Sequence, residues 1–241
     1  MKSLIDRKNH IRDGYTPVKI VATVIFLIYS VSLLVIPLWA FLMSLKSRFE
    51  YITDMVSLPK EWMFSNYITA FTELSTGGNN MFVMLFNSLW YSIGNSFCAI
   101  AVTTVTAYVI AKYQFILGKV VYWLCIAVII IPILNNLPSQ FMLARVLGTY
   151  DTPLTVITSL GGVGFNTLLL YSFFKGIDPS YAEAAYVDGA SHLQIFIKIM
   201  LPLALTPISA LMMQHFTVLW NDSEGPMVFL PSYPTLASGL Y

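Results

Sequence analysis

The sequence predicts an all-α integral membrane protein, a polytopic bundle whose chain crosses the bilayer five times. Three observations carry this. Hydrophobic residues make up 57% of the 241 positions and charged residues only 10%, whereas a soluble domain carries about a quarter charged residues. Five segments, roughly 18–45, 83–111, 120–144, 153–174 and 201–220, are apolar over the ~20 residues a helix needs to cross the hydrocarbon core. These five segments contain no Asp or Glu.

The first segment follows a basic start, Lys2, Arg7, Lys8, Arg12 and Lys19. It is longer than the ~7–15 apolar residues of a signal peptide and has no small-residue cleavage pattern after it, so it reads as an uncleaved span. Pro59 and Gly77-Gly78 mark the following connection as an ordered loop with turns, with a short helix expected around Asn66–Leu74. The third span is interrupted by Pro132, Asn135-Asn136 and Pro138, and the fifth carries Pro202 and Pro207 near its start. Proline frees backbone carbonyls that need protein or water partners in lipid, so these spans are expected to face a protein interior or a wet path. Residues 1–82 are expected to form the N-terminal segment, first span and loop, and 83–241 the main transmembrane domain.

Lys and Arg counts set the orientation. With the N-terminus in the cytoplasm, the inside segments hold the five N-terminal cations with Lys112, Lys119, Lys175 and Lys198; the outside segments hold only Lys46, Arg48, Lys60 and Arg145. Residues 46–82 and everything after Trp220 then lie outside, and the connection around 175–200 lies inside.

Several chemistries are excluded. A net charge of +1 gives no electrostatic case for nucleic acid. Cys98 and Cys125 sit in apolar runs and read as small buried hydrophobes. The absence of acids in the spans argues against a self-powered, ion-coupled carrier. Gly118-Lys119 would need glycine at position 113 to make a phosphate loop, and Tyr113 stands there. His215, the one histidine within a span, reads as a buried ring with a hydrogen-bond partner. No nucleophilic or metal-ligating set is visible, so the chain is not read as an enzyme.

The cytoplasmic stretch "EAAYVDGASHLQIFIKIMLP", Glu183 to Pro202, carries the functional information. Asp178-Pro179 is a helix start, with the acid as cap and proline at the first helical position. Ala182, Ala185 and Gly189 recur at helical spacing and make a smooth face, and Gly189 suits a sharp turn. Asp178, Glu183 and Asp188 are five apart and do not share one stripe, which argues against a metal site. After the turn, Leu193, Phe196, Ile197 and Met200 are expected to form the apolar side of an interfacial helix. The unit reads as a small rigid plug that offers one acid to a partner.

Glu183-Ala184-Ala185, Asp188-Gly189-Ala190, Phe196, Ile199 and Leu201-Pro202 together resemble the EAA loop of binding-protein-dependent ABC importer permeases. "NSL" at Asn87–Leu89, "TAYVIAKYQF" at Thr106–Phe115, "LGTYDTPLTVI" at Leu147–Ile157, "WND" at Trp220–Asp222 and "TLASGL" at Thr235–Leu240 resemble the carbohydrate branch, the type of the second maltose permease. The resemblance covers nearly the whole chain. It implies the type I importer permease fold, in which a sixth span is expected after the given residues. It also implies a multi-pass subunit of the bacterial cell membrane and its partners: a second homologous permease, a cytoplasmic ABC ATPase dimer that binds ATP and Mg, and an extracytoplasmic sugar-binding protein. The chain itself is expected to bind no cofactor.

By that resemblance Glu183, Ala184, Ala185, Asp188, Gly189 and Ala190 form the ATPase-coupling site. Asn135, Asn136, Gln140, Gln214 and Asn221 are candidates for the solute path, with inter-helix hydrogen bonding as the competing role. The outside segment "NDSEGPMVFLPSYP", Asn221–Pro234, is apolar at Met227, Phe229 and Leu230, which reads as a contact with the binding protein or as packing onto the permease itself. An importer for another solute, such as an amino acid or phosphonate, and a membrane scaffold without transport are the alternative functions.

Overall fold

The computed structural model describes residues 17–113, 115–131, 137–158 and 163–240. Two compact units divide the chain at Ala70/Phe71.

The first unit is built on helix α1, Pro17–Ser44, in which Met43 is the only buried residue. An apolar helix that is exposed all round belongs in lipid or against another subunit. Its end is tied to an ordered loop. Lys46 is buried and its ammonium donates to the carbonyl of Asp54 at 2.6 Å. Helix α2, Arg48–Thr53, is capped by Ser47, whose hydroxyl accepts from the amide of Glu50. Helix α3 runs Ser65–Glu73, one residue from the expected bounds at either end.

The second unit opens with a hairpin of β1, Ser75–Thr76, and β2, Asn79–Asn80. Gly77 and Gly78 both take positive φ (58° and 81°), the two-residue turn that matches strand twist and that glycine alone enters freely. Asn80 then caps helix α4, Met81–Lys112. Helices α5, Ile116–Ile130, and α6, Leu137–Val146, follow, then α7, Thr155–Thr158, and α8, Phe165–Gly176. Helices α9, Ser180–Val187, and α10, His192–Ile195, lead through a π-helical turn, Phe196–Met200, and α11, Leu201–Leu203, into α12, Leu205–Trp220. Short helices α13, Glu224–Phe229, and α14, Leu236–Gly239, complete the described chain.

Helix α4 is the spine: α8 and α12 both pack along it. Its buried side is polar, with Asn87, Ser88, Tyr91, Ser92, Asn95, Ser96, Thr103 and Thr104 all inside, while Phe82, Phe86, Ile93 and Phe97 point out. This inverts a soluble helix, because lipid receives the apolar face and the protein interior receives hydrogen-bonding groups. The apolar core clusters toward one end, where Tyr108, Leu170, Phe174, Ile195, Met200 and Leu211 meet.

The expected spans need refinement. Among the described residues, α1 and α4 are long and apolar enough to cross a membrane as single helices. The expected third and fourth spans each correspond to two helices, α5 with α6 and α7 with α8. The fifth is bent by 72° between residues 192–203 and 205–220. The bend falls at Ala204, between Pro202 and Pro207, which supply no amide hydrogens to the carbonyls four residues before them.

Candidate functional site

The stretch from Asp178 to Met200 folds as two short helices around a closed turn. Asp178 accepts a hydrogen bond from the amide of Ser180 at 2.9 Å, and this bond with the Ser180 hydroxyl holds its carboxyl below the usual range. Helix α9 ends in a Schellman closure: the amide of Gly189 bonds the carbonyl of Tyr186 at 3.0 Å and that of Ala190 bonds the carbonyl of Ala185 at 2.9 Å. The closure requires a left-handed residue after the helix, and Gly189 has φ 81°. A Cβ at Gly189 would have nothing within 4 Å, so the requirement is conformational and not one of space. Gly189→Val is expected to strain the turn by about 1–3 kcal/mol, whereas Gly189→Asn, which tolerates this region, is expected to retain most function. Thermal unfolding of the two variants in detergent checks the ordering.

Across the turn, Ser191 caps α10 in a reciprocal capping box with Gln194. The π-helical turn then shifts the side-chain register, its five-residue bond running from the amide of Leu201 to the carbonyl of Phe196. This corrects the expected apolar side. Ile195 and Met200 are fully buried, Phe196 packs on Tyr108, and Leu193 and Ile197 are exposed.

The two faces of α9 are now distinct. Ala182 and Ala185, with Ala190 beyond the turn, pack on the chain's own core, so the smooth face serves internal packing. Glu183, Ala184 and Val187 fall at helical spacing on the opposite side and are exposed, Val187 at 88%. Asp188 and Gly189 are exposed at the tip. The surface available to a partner is therefore an acid beside small and apolar groups on a rigid helix.

The polar stripe of α4 organises the other end. The Asn87 amide donates to the carbonyl of Pro234 at 3.0 Å, the Ser88 hydroxyl accepts from the amide of Leu236 at 2.8 Å, and the Tyr91 hydroxyl donates to Asp222 at 3.1 Å. Asp151, at φ 55°, receives the amide and hydroxyl of Ser232 at 2.9 and 2.7 Å. Its own amide bonds the carbonyl of Phe229 at 2.8 Å. Segment 221–240 thus folds back onto its own bundle. Leu230 is fully buried, Phe229 is half-buried, and Met227 remains exposed.

Of the expected path residues, Gln140 lies on a 380 Å³ cavity with Tyr91, Asp222, Glu224 and Phe229. Gln214 and Asn221 are exposed seven residues apart, Gln214 on α12 and Asn221 as its C-cap, the latter donating to the carbonyl of Thr217. They are not brought together with Gln140 in that cavity. Asn135 and Asn136 lie outside the described residues. His215 is half-buried and within 3.4 Å of the Ser96 hydroxyl.

The α4 stripe was missed in the sequence. Its signal is present: Asn87, Tyr91 and Asn95 recur every four residues, as do Ser88, Ser92 and Ser96. The hydroxyl of Ser92 and the amide oxygen of Asn95 are buried without a hydrogen-bond partner among the described residues.

A bundle with lipid-suited apolar faces, a polar interior and an exposed helix-turn-helix is the architecture of a membrane protein. Residues 103–230 match the family of binding-protein-dependent transport system inner membrane components, and the chain belongs to that family. It is 28% identical over 200 residues to the diacetylchitobiose uptake system permease protein NgcG of Streptomyces coelicolor, covering 82% of this chain and 65% of that protein. It is 28% identical to the inner membrane ABC transporter permease protein YcjP of Escherichia coli, over 83% of this chain and 72% of that one. The sn-glycerol-3-phosphate transport system permease protein UgpE of Yersinia enterocolitica is 27% identical, with 85% and 74% covered. The fold matches a chain in the crystal structure of a bacterial ABC transporter involved in the import of the acidic polysaccharide alginate, with a TM-score of 0.76, 20% identity, and 94% and 81% of the two chains covered. The chain spans 65% of the length of NgcG, so about a third of that relative has no counterpart in the match.

Proposed function

We propose that the chain is a permease subunit of an ATP-driven carbohydrate importer, forming half of a translocation path and coupled to a separate ATPase. The observation that carries this is the Schellman-closed helix α9, which holds Glu183, Ala184 and Val187 outward while its alanine face is fixed to the bundle. A stiff projection of this kind transmits displacement where a loose loop would absorb it. In this reading the N-terminus and α9 face the cytoplasm and the coupling residues are Glu183, Ala184, Ala185, Asp188, Gly189 and Ala190. A second permease completes the path, ATP and Mg act in the ATPase dimer, and an extracytoplasmic binding protein delivers a sugar or oligosaccharide.

The carbohydrate assignment is supported by the name of NgcG, while that of UgpE keeps a phosphorylated polyol as a second reading. The test is reconstitution. The chain co-expressed with its genomic partner permease and ATPase is expected to form a complex that takes up a labelled oligosaccharide into proteoliposomes only with ATP and binding protein. Uptake of glycerol phosphate in place of oligosaccharide would select the second reading, and a chain that retains no ATPase through purification would reject both.

A further inference from the structure

A short helix suspended between two connections can swing without moving what it is attached to. Helix α9 is braced at both ends, and the braces lead to the same place. At its entry, Ile177 closes α8, and its carbonyl accepts a hydrogen bond from the Lys112 ammonium at 2.9 Å. A cation at the carbonyl end of a helix is favourably placed. At its exit, the Nδ1 of His192 lies 2.9 Å from the Tyr113 hydroxyl and also meets the hydroxyl of Tyr186, a residue of α9 itself. The three rings support this arrangement, with His192 centred 5.5 Å from Tyr113 and 5.1 Å from Tyr186.

Lys112 is the last residue of α4 and Tyr113 is its C-cap. One turn back along α4, Tyr108 packs on Phe174, before the loop, at 5.5 Å and on Phe196, after it, at 4.7 Å. Apart from the His192–Tyr186 contact within the loop, these contacts run between the loop or its flanks and the end of α4, and α4 is the helix along which both α8 and α12 pack.

We propose that the end of α4 is the abutment of the coupling element, with Lys112 and Tyr113 as positioning residues that fix its entry at Ile177 and its exit at His192. Displacement of α9 then enters the membrane bundle through α4, in addition to the flanking helices α8 and α12. The inference rests on the proposed role of α9 as the part that meets the ATPase. Nδ1 makes one hydrogen bond at a time, as acceptor or donor according to its tautomer, so the two hydroxyls share a single ring nitrogen, and an apolar ring cannot replace it.

The test uses the complete complex, with hydrogen exchange followed over 178–192 and over 105–113 before and after trapping with ATP, Mg and orthovanadate. In the unsubstituted complex both stretches are expected to change. In Lys112→Met, Tyr113→Phe and His192→Leu the change over 178–192 is expected to persist, while that over 105–113 falls by about threefold or more. His192→Asn, whose amide oxygen can stand where Nδ1 stood, is expected to restore the response, which a purely structural role of the ring would not. Tyr113→Phe deletes one oxygen and retains the ring, so the comparison survives if a bulkier change impairs assembly. An undiminished response over 105–113 in all three variants overturns the proposal. No response over 178–192 in the unsubstituted complex instead rejects the role assigned to α9.

Discussion

Glu183→Lys is expected to detach the chain from its ATPase or to uncouple ATP hydrolysis from uptake. Glu183 is exposed in the first turn of α9, beside Ala184 and Val187. An acid there is favoured by the helix N-terminus, which contributes only a few tenths of a kcal/mol at an exposed position. The larger effect arises in the complex. If the carboxylate meets a cation in a groove closed to water, reversing its sign leaves two like charges facing each other, at a cost of about 2–5 kcal/mol. About 2 kcal/mol already lowers affinity roughly 30-fold. Co-purification of ATPase with a tagged permease measures this directly. Glu183→Gln should fall between, because it removes the attraction without adding repulsion. Full ATPase yield and unchanged uptake in Glu183→Lys would remove Glu183 from the interface.

The second large effect concerns the end that carries segment 221–240. Leu230→Ser is expected to destabilise the subunit by about 2–5 kcal/mol, because it leaves a cavity and a buried hydroxyl where a fully buried leucine packs. Met227→Ser is expected to leave stability unchanged, since Met227 is 45% exposed. If the segment contacts a binding protein, Met227→Ser should lower the ATP hydrolysis that the binding protein stimulates while basal hydrolysis stays the same. Thermal unfolding separates the first variant from the second, and the ratio of stimulated to basal rate tests the contact. A ratio unaffected by Met227→Ser would assign the segment to internal packing alone.

Much of this was legible in the sequence, for a physical reason in each case. The turn at Gly189 could be read because only a residue free at positive φ closes such a helix end, and glycine there is a local signal. The helix near 66–74 could be read for the same kind of reason, since Pro59 and Gly77-Gly78 bound it. Met200 does not share a side with Leu193 and Ile197, because the π-helical turn at Phe196–Met200 breaks the 3.6-residue period and brings Met200 into line with Ile195, both fully buried. Nothing in "FIKIM" announces the change. The burial of Leu230 was not legible either. It depends on Asp151, 79 positions earlier in the chain and one of the residues that pin the segment, and no local pattern reports a contact at that separation. The α4 stripe was legible in principle, but in a membrane segment polar residues invite a search for a solute path before a search for the next helix.

That stripe also sets a clock on biosynthesis. The partners of Asn87, Ser88 and Tyr91 are Pro234, Leu236 and Asp222, which follow them by 147, 148 and 131 positions. At a synthesis rate of about 5–20 residues per second, α4 is made roughly 7–30 s before those groups exist to hydrogen-bond with it. During that interval the Asn87 amide and the Ser88 and Tyr91 hydroxyls lack the partners they have in the folded chain. Substitutions at Asp222 or in 232–238 should therefore reduce the amount of subunit made before they reduce the activity of what is made, and pulse-chase labelling would detect them where a transport assay on purified complex would not.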